Sequence, residues 1–316
     1  MGLLALYVGA QGVALLLADP FRMAGLTTNA NPQSVSAPIE IILIIVLAPL
    51  FILYLAKRKG GLATLRQLIL FGIAASLYIT LYATFSVLPP GLLLLPPYGA
   101  ELLIDPALIL AAVVSASLYL TLLMEPQWYV VDLVGFLAAG SLIAILGISF
   151  AILPAFILLI ALLVYDAIAV YGTKHMVSLA EVVVDMKLPI LLVMPDSASY
   201  DYQSAPTLQE QRAQPVEQRE ALFMGLGDVV IPGTLVVSAF VWLPSHPLVL
   251  GIGGNLWAGM GALIGSLLGY AILMRIVLRG NAQAGLPFLN GGALAGYVVA
   301  YLLVFHSLTL GLTGAL

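Results

Sequence analysis

Charged residues are scarce in this chain of 316 residues, which has eleven basic and fifteen acidic side chains. Charged residues make up 8% of the sequence, whereas a soluble domain carries roughly a quarter. Hydrophobic residues make up 62%. So few charges cannot cover the surface of a water-soluble protein of this size. The composition therefore predicts an integral membrane protein and excludes a disordered chain or a collagen-like fibre.

Cysteine is absent, and the three histidines (His175, His246 and His306) are far apart in the sequence. Disulfides, thiol nucleophiles and metal–thiolate sites are therefore excluded, and we expect neither a metal site nor a cofactor. The net charge of −4 argues against nucleic acid as a partner.

Nine apolar segments are long enough to cross a bilayer, which takes about 20 residues. They are 2–18, 37–56, 63–88, 100–123, 128–149, 152–171, 221–243, 247–274 and 286–313. Pro154 and the stretch 147–149 indicate a tight turn that divides the long run 128–171 in two. The first segment lacks the basic start and cleavage site of a signal peptide, so we expect it to remain as a span.

The distribution of basic residues supports this count. If nine spans begin inside the cell, ten of the eleven basic residues fall in inside loops and only Arg22 falls outside. Joining 128–171 into one span would place every later loop on the opposite side of the membrane and remove this asymmetry of basic residues. The positive-inside rule thus favours an all-α protein of the cell membrane with nine transmembrane helices, a cytoplasmic N-terminus and an extracytoplasmic C-terminus.

The spans fall into a six-helix part, 1–171, and a three-helix part, 221–316, separated by a cytoplasmic loop, 172–220. The first half of this loop, 176–194, is semi-apolar and is predicted to lie on the membrane surface. The second half, 195–220, is rich in Pro, Gln, Ser and Glu and is predicted to be mobile. No clear internal repeat is present, so sequence symmetry gives no support to an inverted-repeat transporter.

Two acidic residues lie deep inside predicted spans. The other acids outside the long loop lie near span ends, where they reach water or headgroups; these are Asp19, Glu40, Glu101, Asp105, Glu125 and Asp132. Asp166 lies about 9 Å and Asp228 about 12 Å from the inner side, at 1.5 Å per helical residue. An unpaired charge at a helix centre costs about 2.5–3.5 kcal/mol or more, and no Lys or Arg lies at this depth. We therefore expect the two carboxyl groups to face one another, or a water-filled pocket, and to share a proton.

Such a carboxyl pair has a known chemistry. Two carboxyl groups a few ångströms apart do not both ionise, so their titrations separate. The ionised group can take a proton from water while the protonated group polarises a peptide carbonyl. No covalent intermediate is needed. Which aspartate holds the proton is a property of the pair, and the sequence does not assign it.

Glycines accompany the deep acids. Gly225 and Gly227 leave room for another backbone to approach Asp228. The ninth span opens with Pro, Asn and two glycines between residues 286 and 294, which indicates an irregular start, and Ala293 lies at about the same depth as the acids. Irregular backbone at membrane depth is tolerated only where protein or water covers it. Three imperfect segments are therefore predicted to converge at one depth.

These features resemble the GxGD aspartyl proteases of the presenilin and signal peptide peptidase family. Tyr165-Asp166 is similar to the YD motif of the family's sixth helix, and residues 225–228 (Gly-Leu-Gly-Asp) match the GxGD motif of its seventh. Residues 292–294 (Gly-Ala-Leu) stand where the family has its PAL motif, with glycine in place of proline. The stretch 187–195 is similar to one that follows the sixth helix in signal peptide peptidases. Nine spans and a long inner loop also agree, so the resemblance covers the whole chain.

The resemblance implies an aspartic endopeptidase that cleaves peptide bonds within transmembrane segments of other proteins. It implies that Asp166 and Asp228 are catalytic, and that Tyr165, Gly225, Leu226 and Gly227 support them. It also implies that Gly292, Ala293 and Leu294 help to hold an unwound substrate, with the lipid bilayer as the surrounding medium. Orientation separates the two branches of the family, and the charge bias here agrees with presenilins, which predicts substrates whose N-terminus is outside. Small size and short loops suggest an archaeal homologue. The resemblance leaves accessory subunits and homo-oligomerisation open.

Three other readings fit parts of the pattern. A proton- or cation-coupled transporter could use the same aspartates as a relay, although no other polar groups line a path. A prepilin-peptidase-like enzyme also uses a GxGD motif, but nine spans and the 292–294 segment favour the presenilin side. A structural scaffold would leave two costly acids unexplained.

Overall fold

The computed structural model of the chain is mostly helical. It describes residues 2–56, 58, 60–87, 105–173, 191–197, 200–202, 220–277 and 283–312. The surface segment predicted at 176–194 lies outside these residues except for its last four, and the predicted mobile segment 195–220 lies outside them except for 195–197, 200–202 and 220.

Nine α-helices lie within the described residues, one for each predicted span. They are α1 (Gly2–Met23), α2 (Ser36–Ala56), α3 (Gly61–Val87), α4 (Pro106–Met124), α5 (Trp128–Ser149), α6 (Ile152–Ala167), α7 (Leu226–Trp242), α8 (Gly254–Val277) and α9 (Leu286–Phe305). Apart from α7, the helices are long and apolar enough to cross a membrane, α6 together with the π-helical turn Ile168–Thr173 that follows it. Helix α7 has 17 residues and is shorter than each of these eight spans, which have 19 or more.

The seventh span begins differently from the prediction. Its first five residues form a strand, β2 (Ala221–Gly225), and the helix starts only at Leu226. β2 pairs antiparallel with β1 (Leu191–Pro195), which lies in the predicted cytoplasmic loop. A short apolar run fits a buried strand as well as a helix, so this hairpin was not predicted. A second small hairpin, β3 (Leu248–Val249) with β4 (Ile252–Gly253), precedes α8, where the sequence predicted helix from residue 247.

Helix α7 lies at the centre of the bundle, in contact with α1, α5, α6, α8 and α9. The predicted turn between α5 and α6 is held against it, because Ser238 donates a hydrogen bond to the carbonyl oxygen of Phe150 at 2.8 Å. Asn290 of α9 donates to the carbonyl oxygen of Leu159 in α6 at 2.9 Å. These buried bonds fix α6, α7 and α9 relative to one another, and the two deep aspartates lie on α6 and α7.

Candidate active site

Asp228 lies in the first turn of α7. Gly225, the last residue of β2, is the residue before the helix and has extended backbone angles of φ −65° and ψ 138°. The change from strand to helix at Gly225 thus places Asp228 at a helix N-terminus. Free N–H groups and the positive end of the helix dipole stabilise a negative charge at such a position.

Asp166 lies near the end of α6, just before the π-helical turn, and its side chain is 6% exposed. Its carboxylate faces the N-terminus of α9. The backbone N–H of Leu286 donates to Asp166 Oδ2 at 3.0 Å, and the N–H of Gly285 lies near the same carboxylate and interacts with it electrostatically. Asp166 therefore accepts a hydrogen bond from the first residue of α9, which lies 120 positions away in the sequence.

Gly285 joins the two aspartates. A Cβ atom built on Gly285 would lie 2.9 Å from Asp228 Oδ1 and 3.0 Å from its Cγ. The backbone N–H of the same residue lies near the carboxylate of Asp166, and Asp166 lies within electrostatic range of Asp228. Both carboxyl groups thus meet at one backbone segment. Within the described parts of the chain, neither forms an ion pair with a basic side chain.

Gly285 and Leu286 were not predicted as site residues. Their N–H groups reach Asp166 because α9 packs across α6 and α7. Such a tertiary contact has no local sequence signal, apart from a glycine shortly before Pro287. Tyr171 holds the same segment from the other side. Its hydroxyl donates to Gln283 Oε1 at 2.7 Å and accepts from the N–H of Ala284 at 3.3 Å.

The predicted supporting residues lie beside this pair. Tyr165 precedes Asp166 and packs partly buried against the main core. Leu226 is buried at the start of α7, whereas Gly227 is exposed. A Cβ built on Gly227 would meet no atom within 4 Å, and one on Gly225 would lie 3.7 Å from Asp228 Oδ2. The described structure therefore leaves space open beside Asp228 at Gly227.

Residues 292–294 lie further along α9, about two turns from Gly285. Gly292 packs against the backbone of Gly265 in α8, and Ala293 is fully buried. Gly261 and Gly269 of α8 meet the α9 backbone in the same way, at Gly296 and Phe288. Close contact of small residues is how membrane helices pack tightly, so the position of Gly292 favours a packing role. The substrate-holding role of 292–294 stays a prediction.

Replacing Gly292 by Ala is expected to destabilise the α8–α9 pair. The new Cβ would overlap the carbonyl oxygen of Gly265, and two paired backbones have little room to move apart. Overpacking of this kind costs about 1–3 kcal/mol, which exceeds the gain of up to about 1 kcal/mol in helix propensity. Thermal unfolding in detergent measures the effect. Gly12→Ala is the control, because a Cβ at Gly12 meets no atom within 4 Å. Unchanged stability together with weaker substrate binding would instead support the substrate-holding role.

Two carboxyl groups that meet inside a bundle of apolar helices are an arrangement typical of membrane-embedded aspartyl hydrolases. The comparisons with known proteins agree with this class. A family model described as signal-peptide peptidase, presenilin aspartyl protease matches residues 4–306. The chain therefore belongs to this family of intramembrane aspartyl proteases, which are multi-pass membrane proteins.

Two solved structures of a presenilin family intramembrane aspartate protease are similar to this chain. One, in space group C222, has a TM-score of 0.63, and the other, in P2, has 0.61. In both, the identity is 30%, and the alignment covers 96% of this chain and 98% of the other. A search of curated proteins gave no significant match.

Proposed function

We propose that the protein hydrolyses peptide bonds within transmembrane segments and that Asp166 and Asp228 are its catalytic pair. The observation that carries this proposal is their convergence on Gly285. The sequence motifs around both residues and the membership of the family support it. No observation favours the alternative of a proton- or cation-coupled transporter.

In the proposed reaction, the ionised aspartate takes a proton from a water molecule, whose oxygen attacks the carbonyl carbon of the scissile peptide bond. The protonated aspartate donates a hydrogen bond to the carbonyl oxygen and stabilises the tetrahedral intermediate. The aspartate that took the proton from water then gives it to the amide nitrogen, the C–N bond breaks, and the carbonyl double bond re-forms. The products are a carboxylic acid and an amine, and the pair returns to its singly protonated form. The proton belongs to the pair rather than to one named residue.

The residues around Asp228 have supporting roles in this proposal. Buried Leu226 anchors the start of α7, and Gly225 is the residue at which the strand passes into the helix. The open space at Gly227 admits substrate backbone beside the carboxyl group. Tyr165 flanks the pair from α6.

The β1–β2 hairpin offers an edge on which an unwound substrate can pair. Asp196 donates its N–H to the carbonyl oxygen of Glu220 at 2.9 Å, which makes this a hydrogen-bonded pair of the ladder. Antiparallel pairs alternate between hydrogen-bonded and non-hydrogen-bonded, so the backbone groups of Ala221, Phe223 and Gly225 point away from β1. A substrate strand added to this outer edge of β2 would lead directly to Asp228.

The proposed orientation follows from the charge bias of the loops, with a cytoplasmic N-terminus and an extracytoplasmic C-terminus. The active site then lies nearer the cytoplasmic face. Substrates are accordingly proposed to be single spans whose N-terminus is outside. Reconstitution with peptides of either orientation distinguishes the two directions.

The proposal is tested by mixing purified protein with a single-span peptide of the proposed orientation. Mass spectrometry is expected to find cuts within the apolar stretch of the peptide, where a contaminating soluble protease has no access. Cuts restricted to the polar flanks would contradict intramembrane hydrolysis. Proton flux in liposomes without any peptide cleavage would favour the hypothesis of a transporter.

A further inference from the structure

Asp132 is a buried acid on a different helix from the proposed pair. It lies near the start of α5, where the sequence predicts a boundary residue that reaches water or headgroups. Its side chain is instead 6% exposed. Its Oδ1 accepts a hydrogen bond from the backbone N–H of Val193 at 2.7 Å, and this bond is buried. Asp132 therefore joins α5 to strand β1 across 61 positions of sequence.

This bond occupies the N–H of Val193 on the outer edge of β1. Val193 pairs with Phe223 across the hairpin, and this pair is non-hydrogen-bonded because the Asp196–Glu220 pair of the same ladder is hydrogen-bonded. The N–H of Val193 therefore points away from β2 and toward α5. Two positions further on, Pro195 has no N–H to offer. Because both positions are closed to a new strand, the outer edge of β2, with the half-exposed Phe223 and Gly225, is the better edge for a substrate strand among the described residues.

Burying a carboxylate at this position in the core is energetically unfavourable. Val193 and Tyr202 are fully buried and pack with Val131 and Val134 of α5 in one apolar cluster. The hydroxyl of Tyr202 lies within electrostatic range of Asp132. Burying a carboxyl group costs free energy that an apolar residue would not incur. What the carboxylate adds is a directional bond to one particular N–H of β1.

The structure assigns Asp132 as a positioning residue: we propose that its bond to Val193 fixes the β1–β2 hairpin against α5, and thereby the register of the substrate strand relative to Asp166 and Asp228. The inference rests on the proposed proteolytic function. Few contacts separate Asp132 from the proposed active site, because β1 pairs with β2 and β2 ends three residues before Asp228.

The tether itself can be measured without substrate, by hydrogen exchange of a peptide that covers residues 191–195. In Asp132→Leu, exchange of this peptide is expected to be about tenfold faster, the effect of losing a hydrogen bond to a charged group. Asp132→Asn keeps an acceptor oxygen and is expected to restore slow exchange. Ser141→Ala is the matched control, because it removes a buried polar group of α5 whose hydrogen bond, among the described residues, stays within its own helix, to the carbonyl oxygen of Leu137. Unchanged exchange in Asp132→Leu would overturn the proposal.

The register is measured by mass spectrometry of the cleaved peptide. Asp132→Leu is expected to spread the cuts over neighbouring peptide bonds and to lower kcat more than it changes KM, whereas Asp132→Asn and Ser141→Ala keep the wild-type cut sites. Faster exchange with wild-type cut sites and rates would also overturn the proposal, because Asp132 would then anchor the hairpin without positioning substrate.

A second variant breaks the same bond from the other partner. Val193→Pro removes the donor N–H at a strand edge, where proline is tolerated, so it replaces Asp132→Leu if that variant does not fold. It is expected to give the same spread of cuts. If the wild-type protein cleaves no peptide, the proposed function fails, and the exchange experiment still decides whether Asp132 tethers the hairpin.

Discussion

Replacing either Asp166 or Asp228 by Asn is expected to lower the rate of peptide cleavage by about a thousandfold or more, because each carboxyl group has a proton-transfer role that an amide lacks. Asn has nearly the same shape and keeps an acceptor oxygen, so the hydrogen bond from Leu286 to position 166 is retained. The fold is therefore expected to survive. Mass spectrometry of a single-span peptide measures the loss, and thermal unfolding checks the fold.

Asp19→Asn is the control for a general effect of removing an acid. Asp19 is exposed and lies 4.0 Å from Arg22 in an ion pair at the end of α1, so its replacement is expected to leave cleavage unchanged. The two active-site carboxyl groups act as a unit, and effects within a unit are not additive. The double variant is therefore expected to cleave no more slowly than the less active of the two single variants. Equal cleavage by wild type and both single variants would contradict the assignment of the pair.

The helices were predictable because the bilayer imposes their length. Runs of about 20 apolar residues have few alternatives in lipid, and the split of 128–171 at Pro154 follows from both a turn signal and the charge bias. The structure accordingly places helix ends at Ser149 and Ile152. The pairing of Asp166 with Asp228 was predictable for a related reason, since two unpaired carboxylates at one depth leave few inexpensive arrangements.

The hairpin was not predictable from the same signals. The runs 191–195 and 221–225 are short and apolar, and periodicity does not separate a strand from a helix over five residues. Their pairing also depends on contact between segments about 30 positions apart. For the same reason, the prediction that Asp132 reaches water or headgroups was wrong. A residue near a span end ordinarily reaches water, and only the strand that packs on α5 gives it a buried partner.

The contact of Gly285 with both aspartates likewise depends on tertiary packing. It leads to a specific prediction. Gly285→Ala is expected to reduce cleavage about 100-fold, the scale on which a misplacement of about 1 Å acts. The backbone of Gly285 has φ −79° and ψ −47°, which alanine adopts without strain. The loss therefore comes from the Cβ alone, which would lie 2.9 Å from Asp228 Oδ1 and displace the carboxyl group.

A size series at this position separates displacement of Asp228 from general damage. Gly285→Val is expected to lose more activity than Gly285→Ala, because its larger side chain moves the carboxyl group further. Gly72→Ala is the control, since a Cβ on Gly72 meets no atom within 4 Å. Both Gly285 variants are expected to keep the N–H groups that bind Asp166, so the thermal stability should fall much less than the activity does. If Gly285→Ala cleaved at the wild-type rate, Asp228 would have room that the structure does not show, and the carboxyl pair would not be held by the start of α9.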